Sequence, residues 1–315
     1  NERYRELKAQ REREFSAELI REPAFAGAAY PESPVTLSNL LTSRVGAPLG
    51  AADTIAIAAP HASPEGGWDS YRAAYRALPS TADMRDKTFV ILGTSHYGAP
   101  DHFGLTRKQF ITPFGAARTN THLVNELDKA APLAIRMEDY CHAVEHSIEF
   151  QVVFLQHLYG PDIRILPILC GPFVKSIYEG GLPEENEHVA RFFDALSNIS
   201  VREGQNLFWV LGVDMAHMGI RYGDNLRATA NMGEMLAIEL RDRQRIDQIN
   251  SGDIRAYWSL VQDGHDDMKW CGSSPFYTFM KVMPQTRGEL LHYQHWQIDP
   301  QSVVSFAGMR FGNCK

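Results

Sequence analysis

Residues 87–97 read Lys87-Thr-Phe-Val-Ile-Leu-Gly-Thr-Ser-His-Tyr97, and the fold prediction starts from this stretch. The residues from Thr88 to Leu92 carry β-branched or large apolar side chains with no charged break, which is typical of a strand buried in a parallel sheet. Gly93 ends the strand, and His96 follows shortly after it. Because open α/β sheets bind their ligands at the carboxyl ends of their strands, His96 is predicted to lie at a ligand site.

Three other stretches show the same buried-strand pattern. They are Asp53-Thr-Ile-Ala-Ile-Ala-Ala-Pro-His61, Ile163-Arg-Ile-Leu-Pro-Ile-Leu-Cys-Gly171 and Leu207-Phe-Trp-Val-Leu-Gly-Val-Asp-Met-Ala-His217. After His61, the apolar residues Trp68, Tyr71, Tyr75 and Leu78 recur at helical spacing, so strand, helix and strand form a βαβ unit. This alternation predicts an α/β fold, a single large domain with a mostly parallel sheet flanked by helices.

The segments between and after these strands extend the predicted framework. Residues 103–106 and 109–112 are predicted to be short strands of a hairpin or flap, and residues 119–131 a helix capped by a threonine. Residues 142–158 carry one apolar stripe and are predicted to form a long amphipathic helix. A final strand is predicted at residues 303–311.

The first 20 residues are set apart from the rest of the chain by their charge. Residues 1–20 mix Arg, Lys and Glu with a few apolar side chains, which predicts a surface helix or arm. Such an arm would pack loosely on the domain or against another subunit, so a homo-oligomer is one expectation. The α/β domain is expected to occupy residues 21–315.

Composition and charge exclude several classes of partner. A net charge of −7 and a pI near 6.0 are the opposite of the lysine and arginine excess that a nucleic-acid surface needs. No apolar run approaches the roughly 18 residues of a membrane-spanning helix. The four cysteines lack the paired spacings of a disulfide framework or zinc module, and the first 21 residues lack the apolar core of a signal peptide. A cytoplasmic protein that binds neither nucleic acid nor membrane is therefore expected.

Polar groups follow three of the predicted strands, and a cysteine precedes a predicted helix. His61, His96 and the pair Asp214 and His217 stand at strand ends, and Cys271 stands before the helix that Pro275 helps to start. Because the carboxyl ends of parallel strands lie at one edge of a sheet, these groups are expected to converge. Two imidazoles and an anionic third ligand would hold a metal ion and leave coordination positions open for substrate or dioxygen. A helix N-terminus also stabilises a thiolate, which favours a reactive Cys271.

These residues belong to a series of seven motifs that a known family carries in the same order along the chain. The motifs are Pro60-His-Ala62, Gly93-Thr-Ser-His-Tyr97, Glu145-His-Ser-Ile-Glu149, Asp214-Met-Ala-His217, Cys271-Gly-Ser-Ser-Pro275, the entry segment 21–31 and Ser305-Phe-Ala-Gly-Met-Arg-Phe311. Together they resemble the Memo family, called AmmeMemoRadiSam system protein B in microbial genomes, from about residue 21 to residue 311. That family is similar in fold to class III extradiol dioxygenases, so the resemblance implies the same architecture here.

The resemblance also implies a metal and its ligands. Carried over by motif, the ligands would be His61, His96 and Cys271, with a thiolate in place of the dioxygenase carboxylate. The family implies non-haem iron or copper. Iron(II) is the first expectation, and copper or zinc are the alternatives, because two imidazoles and a thiolate suit each of these metals.

The reaction that the resemblance implies is oxidoreductase chemistry of the dioxygenase type on a small molecule. Asp214, His217 and His146 would line the site, with His217 or His146 as acid or base and Asp214 orienting an imidazole or serving as a fourth ligand. The flap at residues 101–118 and the loop at 263–268 are expected to set substrate specificity.

Two other functions compete with this interpretation. His142-Ala-Val-Glu-His146 spells H-x-x-E-H, the signature of inverted zinc metallopeptidases, but it needs another carboxylate downstream and leaves the strand-end histidines without a role. Alternatively, the pocket binds a peptide or small ligand without turnover. Trp68, Tyr71 and Tyr97 would then form an aromatic platform.

Overall fold

The computed structural model describes residues 2–80 and 82–314. In this part of the chain the strands are β1 (Ile20–Arg21), β2 (Thr54–Ala59), β3 (Thr88–Thr94), β4 (Phe103–Leu105), β5 (Gln109–Thr112), β6 (Gly115–Thr119), β7 (Ile135–Met137), β8 (Arg164–Cys170), β9 (Leu207–Gly212), β10 (His217–Gly219), β11 (Thr286–Asp299) and β12 (Ser302–Asn313). The α-helices are α1 (Glu2–Ala17), α2 (Pro34–Arg44), α3 (Pro64–Arg76), α4 (Thr121–Ala130), α5 (Cys141–Val144), α6 (Glu149–Tyr159), α7 (Val174–Glu179), α8 (Glu187–Glu203), α9 (Glu234–Ser251), α10 (Ile254–Gln262) and α11 (Ser273–Val282).

The strands form one mixed sheet whose centre is parallel. Its order is β1-β5-β6-β8-β3-β9-β2-β12-β10, with β11 paired to β12 and the short β4 and β7 attached beside β8. Every pairing from β6 through β8, β3 and β9 to β2 is parallel. The predicted α/β fold with a mostly parallel sheet flanked by helices is therefore confirmed.

Strand β3 lies at the centre of this sheet because both of its faces are apolar. All seven of its residues are buried. Val90 and Leu92 pack into the hydrophobic core on one face, while Phe89 and Ile91 pack into the core on the other. Helices therefore have to cover both sides of the sheet, as parallel sheets require.

The predicted βαβ unit is present with one strand inserted. Strands β2 and β3 are parallel and α3 connects them, but β9 lies between them and pairs with both. This insertion matters for the site, since it aligns the ends of β2, β9 and β3. In the register, Gly93 pairs with Gly212, and Gly212 pairs with Ala59.

The short strands predicted near residues 103–106 and 109–112 are present, but their pairing as a hairpin was wrong, and one long strand was not predicted. Strand β5 forms its hairpin with β6 rather than with β4, and β4 pairs with β7 and β8 instead, so the expected flap is built into the sheet. The long strand β11 was missed; it pairs antiparallel with β12 along almost its whole length. Most of its residues are only half-buried, so its sequence lacks a strict alternation of apolar and polar side chains.

The helix predicted at residues 142–158 was also wrong, because it is two helices. Helix α5 ends at Val144 and α6 begins at Glu149, so residues 145–148 form a loop. Helix α4 begins two residues later than predicted, and its cap is Asn120, whose side chain accepts a hydrogen bond from the Leu123 amide.

Helix α1 lies on the surface and is anchored near its C-terminal end. Phe15 is buried, and its ring packs edge-on against Tyr140 at a centroid distance of 6.1 Å. The Lys108 ammonium lies 4.9 Å from the same ring and donates to the Glu18 carbonyl.

Among the described helices, none is both long enough and apolar enough to cross a membrane.

Candidate metal centre

Three of the chemically active side chains singled out in the sequence offer donor atoms that lie within 4.8 Å of one another. They are His61, His96 and Cys271. A second group, Asp214, His217 and Cys271, meets the same limit and shares the cysteine, and a third contains His96, Glu145 and His146. All of the predicted site residues thus lie in one cluster at the carboxyl edge of β2, β3 and β9.

His61 is held at the end of β2 by two groups from the end of β9. Its Nδ1 lies 2.8 Å from the Gly212 carbonyl, and its backbone N–H donates to Asp214 Oδ1. Because a carbonyl can only accept, Nδ1 carries the proton and Nε2 keeps its lone pair. Nε2 faces Cys271 Sγ at 3.2 Å. Burial is the main reason why the pKa of His61 is lowered, and nearby His96 adds to it, so the imidazole is neutral and fit to bind a metal.

His96 is oriented by a carboxylate that sequence reasoning did not assign to it. Glu145 accepts from the His96 backbone N–H at 2.7 Å and faces its Nδ1 at 2.8 Å. A carboxylate on Nδ1 directs the Nε2 lone pair toward the cluster, as in the carboxylate–histidine pairs of known metal sites. The Glu145-His-Ser-Ile-Glu149 motif pointed to this segment, but not to this contact.

His146 enters the cluster because the helix breaks before it. Its ring stacks on His96 at 5.3 Å between centroids and stands edge-on to His61 at 5.0 Å. Burial, with three neighbouring imidazoles, lowers the pKa of His146 to about 2. At neutral pH this ring is therefore uncharged and could bind a metal, but it is a weak base.

The loop that carries His146 fits only against glycine at the ends of β3 and β9. A Cβ atom at Gly212 would lie 2.1 Å from the Ser147 carbonyl oxygen, and one at Gly93 would lie 2.6 Å from Ser147 Oγ. Ser147 Oγ donates to the Thr94 carbonyl. Any side chain at either strand end would push the loop, and with it Glu145 and His146, away from the edge.

Cys271 lies before α11, whose first helical residue is Ser273. Burial, reinforced by the Asp214 carboxyl, raises the pKa of the Cys271 thiol well above its usual range. The expected stabilisation of a thiolate by the helix terminus is therefore outweighed in the metal-free protein. A cation in the cluster would reverse this balance, because metal binding displaces the thiol proton.

Asp214 and His217 offer donor atoms close to that of the cysteine. Asp214 Oδ1 accepts from two backbone N–H groups, those of His61 and Ala62, and Asp214 Oδ2 lies 3.7 Å from His61 Nε2. His217 Nδ1 faces the carbonyls of Met215 and Lys269, and its Nε2 is therefore the unprotonated nitrogen. Burial lowers the pKa of His217, which makes it a base at neutral pH.

A cavity of about 240 Å³ adjoins this cluster and has room for a small molecule. His96 and Cys271 line it, together with Ser273, Lys269 and Asp266. Asp266 belongs to the loop at 263–268, and both it and Lys269 adopt left-handed backbone angles, with φ of 54° and 55°. Non-glycine residues are held in this conformation at a cost that surrounding contacts must offset, as they often are at functional sites.

The residues of the two competing functions do not assemble. His142 is fully buried, and its Nε2 lies 3.0 Å from the Gly104 carbonyl, whereas His146 faces the metal cluster; the two histidines do not share a helix face. For the aromatic platform, Tyr71 is buried and stacks on Phe154, while Tyr97 is largely exposed.

Fold and site together describe an α/β protein with a cluster of histidine and cysteine side chains at the carboxyl edge of its parallel strands. The family model described as Memo-like protein matches residues 21–310, and the chain belongs to the Memo family. It is 27% identical to a MEMO1 family protein of Aquifex aeolicus over 99% of this chain and 78% of that protein. It is also 33% identical to one of Thermoplasma acidophilum (92% and 98% covered) and 28% identical to one of Thermococcus kodakarensis (93% and 99% covered).

The Glu145 contact yields a prediction. Glu145→Gln replaces the carboxylate on His96 Nδ1 with a neutral amide, so the metal affinity of the cluster should fall about 10- to 100-fold. Titration with iron(II) under anaerobic conditions measures this affinity. Glu184→Gln is the matched control, since Glu184 is partly buried and bonded to Tyr277 and Lys281 away from the cluster. Equal affinity in both variants would show that Glu145 does not orient the ligand.

Proposed function

We propose that this protein is a non-haem metal-dependent oxidoreductase, similar to the extradiol dioxygenases, that acts on a small molecule. The ion would be held by His61, His96 and Cys271. Iron(II) is the first candidate, and copper or zinc are the alternatives, because this mixed set of nitrogen and sulfur donors suits all three.

The observation that carries this proposal is the fit of the donor atoms to an ion. A tetrahedral ion with nitrogen ligands at roughly 2.0 Å and a sulfur ligand at roughly 2.3 Å requires neighbouring donors about 3.5 Å apart. His61 Nε2 and Cys271 Sγ are 3.2 Å apart, and all three donors lie within 4.8 Å. The Gly212 carbonyl and the Glu145 carboxylate already fix both imidazoles with a lone pair toward the cluster.

The chain's own residues support proton transfer beside such an ion. When bound, the ion would polarise an oxygen of the substrate, and iron or copper, unlike zinc, would also supply one-electron chemistry. His217 Nε2 is free to accept a proton from a substrate hydroxyl, and its Nδ1–H is held by two backbone carbonyls, which keep the ring in one orientation. His146, whose ring stands edge-on to His61, is the alternative base, weakened by its low pKa.

Metal affinity should increase with pH because the Cys271 thiol must lose its proton on binding. Because its pKa is raised, the thiol is protonated in this pH range and binding of each ion displaces one proton. The affinity should therefore rise about tenfold per pH unit between about pH 7 and 8.5. In the Cys271→Ser variant this dependence should disappear. Competition titrations against a chelator of known pH behaviour measure it, and a pH-independent affinity of the unaltered chain would argue against a thiol ligand.

The proposed function is tested by metal analysis and oxygen consumption. Protein purified without oxygen and loaded with iron(II) should retain one ion per chain and consume oxygen with one of a panel of catechol-like compounds. Failure to retain a metal would contradict the proposal as a whole. Retention with no oxygen consumption by iron- or copper-loaded protein would contradict the oxidoreductase part and favour a ligand-binding protein.

A further inference from the structure

A second cavity, of about 640 Å³, lies between α1 and the body of the domain. Leu7 and Arg11 of α1 line one side, and Val144 of α5 lines another. Tyr97 and Gly98, which directly follow His96, also line it. The family match begins at residue 21, so one wall of this α1 cavity comes from a segment outside the matched part of the chain.

The part of α1 that faces the cavity lines it with side chains, and its polar contacts do not run to the rest of the domain. Lys8 pairs with Glu12, and Arg11 with Glu14, so these polar contacts run along the helix itself. The anchor lies further on, where Phe15 packs on Tyr140 and beneath the Lys108 ammonium. The helix is thus held at its C-terminal end and extends over the cavity as a wall.

The lining combines exposed apolar surface with an unpaired cation. Leu7 is 51% exposed and Tyr97 is 70% exposed, and both border a cavity that is open to solvent, where an apolar group could cover them. Arg136 is exposed and borders the same space, and its guanidinium has no hydrogen-bond or ion-pair partner within residues 2–80 and 82–314. An unpartnered guanidinium beside apolar and phenolic surface matches a ligand with a carboxylate at one end.

Most of the charges around the cavity are paired. Lys8 pairs with Glu12, and Arg11 pairs with Glu14. Asp139 accepts from the Cys141 amide and keeps its negative charge. Among the lining cations it is therefore the Arg136 guanidinium that would receive an anion.

We propose that the α1 cavity is a binding site for a small amphipathic carboxylate, separate from the metal cluster. The apolar part of the ligand lies between Leu7 and Tyr97, and its carboxylate accepts from the Arg136 guanidinium. None of the three proposed metal ligands lines this cavity, although Tyr97 is adjacent in sequence to one of them. A ligand bound there would contact Tyr97, the residue that directly follows the proposed ligand His96.

The test uses the full chain without metal and 4-fluorophenylacetate as the probe, followed by fluorine NMR. Saturable broadening is expected, and the neutral 4-fluorophenylacetamide should bind at least about tenfold more weakly, because it cannot form a charged pair with arginine. Arg136→Gln should weaken binding of the acid by a similar factor and abolish the preference over the amide. Leu7→Trp should reduce binding by filling the space.

Arg13→Gln is the matched control, since Arg13 lies on α1, is exposed and does not line the cavity. It should leave binding unchanged, and addition of iron(II) should do so too. Equal binding of acid and amide, no effect of either cavity variant, or no saturable binding by the unaltered chain would each overturn the proposal. Since the test is done without metal, its outcome is independent of whether the cluster binds an ion.

Discussion

Replacing Cys271 with serine, or His61 with alanine, is expected to lower the affinity for iron(II) by more than about 100-fold. That factor is the upper end of the loss caused by removing a group that only orients a ligand, and these variants remove a ligand itself. Each change also leaves the other proposed donors in place. Elemental analysis after anaerobic purification, together with chelator competition, measures the effect.

His142→Ala is the comparison that distinguishes the metal centre from a peptidase site. His142 is buried and faces the Gly104 carbonyl, so its loss should lower stability while the folded protein keeps its metal. Retention of metal in Cys271→Ser and its loss in His142→Ala would contradict the strand-end assignment and support the H-x-x-E-H interpretation.

Arg21→Met should cause the largest loss of stability. Arg21 and Glu149 form a salt bridge in which neither side chain is exposed, with 0% of either accessible. Arg21 also donates to the carbonyls of His142 and Glu145. Removing the guanidinium leaves the Glu149 carboxylate buried without its cation, which typically costs about 3–5 kcal/mol. Because the Glu145 backbone is released at the same time, the metal affinity should fall as well.

Urea unfolding of the metal-free chain measures this loss, with Arg11→Met as the control. Arg11 pairs with Glu14 in an exposed i,i+3 contact, so the control should change the free energy of unfolding by less than about 1 kcal/mol. Similar small effects of both changes would show that the Arg21 pair is not needed to hold the loop.

The central strands and the strand-end histidines were predictable because local pattern is sufficient for them. A continuous apolar run such as Thr88–Leu92 can be satisfied only in a sheet covered on both faces, and the topology then places His61 and His96 at one edge. Cys271 lies more than 200 residues from His61 along the chain. Its position beside His61 was predicted from the same reasoning together with the family motifs.

The break between α5 and α6 was not predictable from periodicity, because long-range contacts cause it. The apolar stripe continues across residues 145–148, yet Arg21 binds the carbonyls at His142 and Glu145 from a segment more than 100 residues away. The glycines at the ends of β3 and β9 then admit the resulting loop. The raised pKa of the metal-free Cys271 thiol could not be predicted for a related reason, since its burial depends on the whole cluster.

X-ray absorption of the iron(II)-loaded protein reports the ligand atoms around the ion. Coordination by His61, His96 and Cys271 predicts one sulfur scatterer at about 2.3 Å and imidazole scattering at about 2.0–2.2 Å. The sulfur contribution should disappear in Cys271→Ser, and the imidazole contribution should decrease in His61→Ala. A first shell of nitrogen and oxygen only in the unaltered chain, identical to that of Cys271→Ser, would contradict the proposed set of ligands.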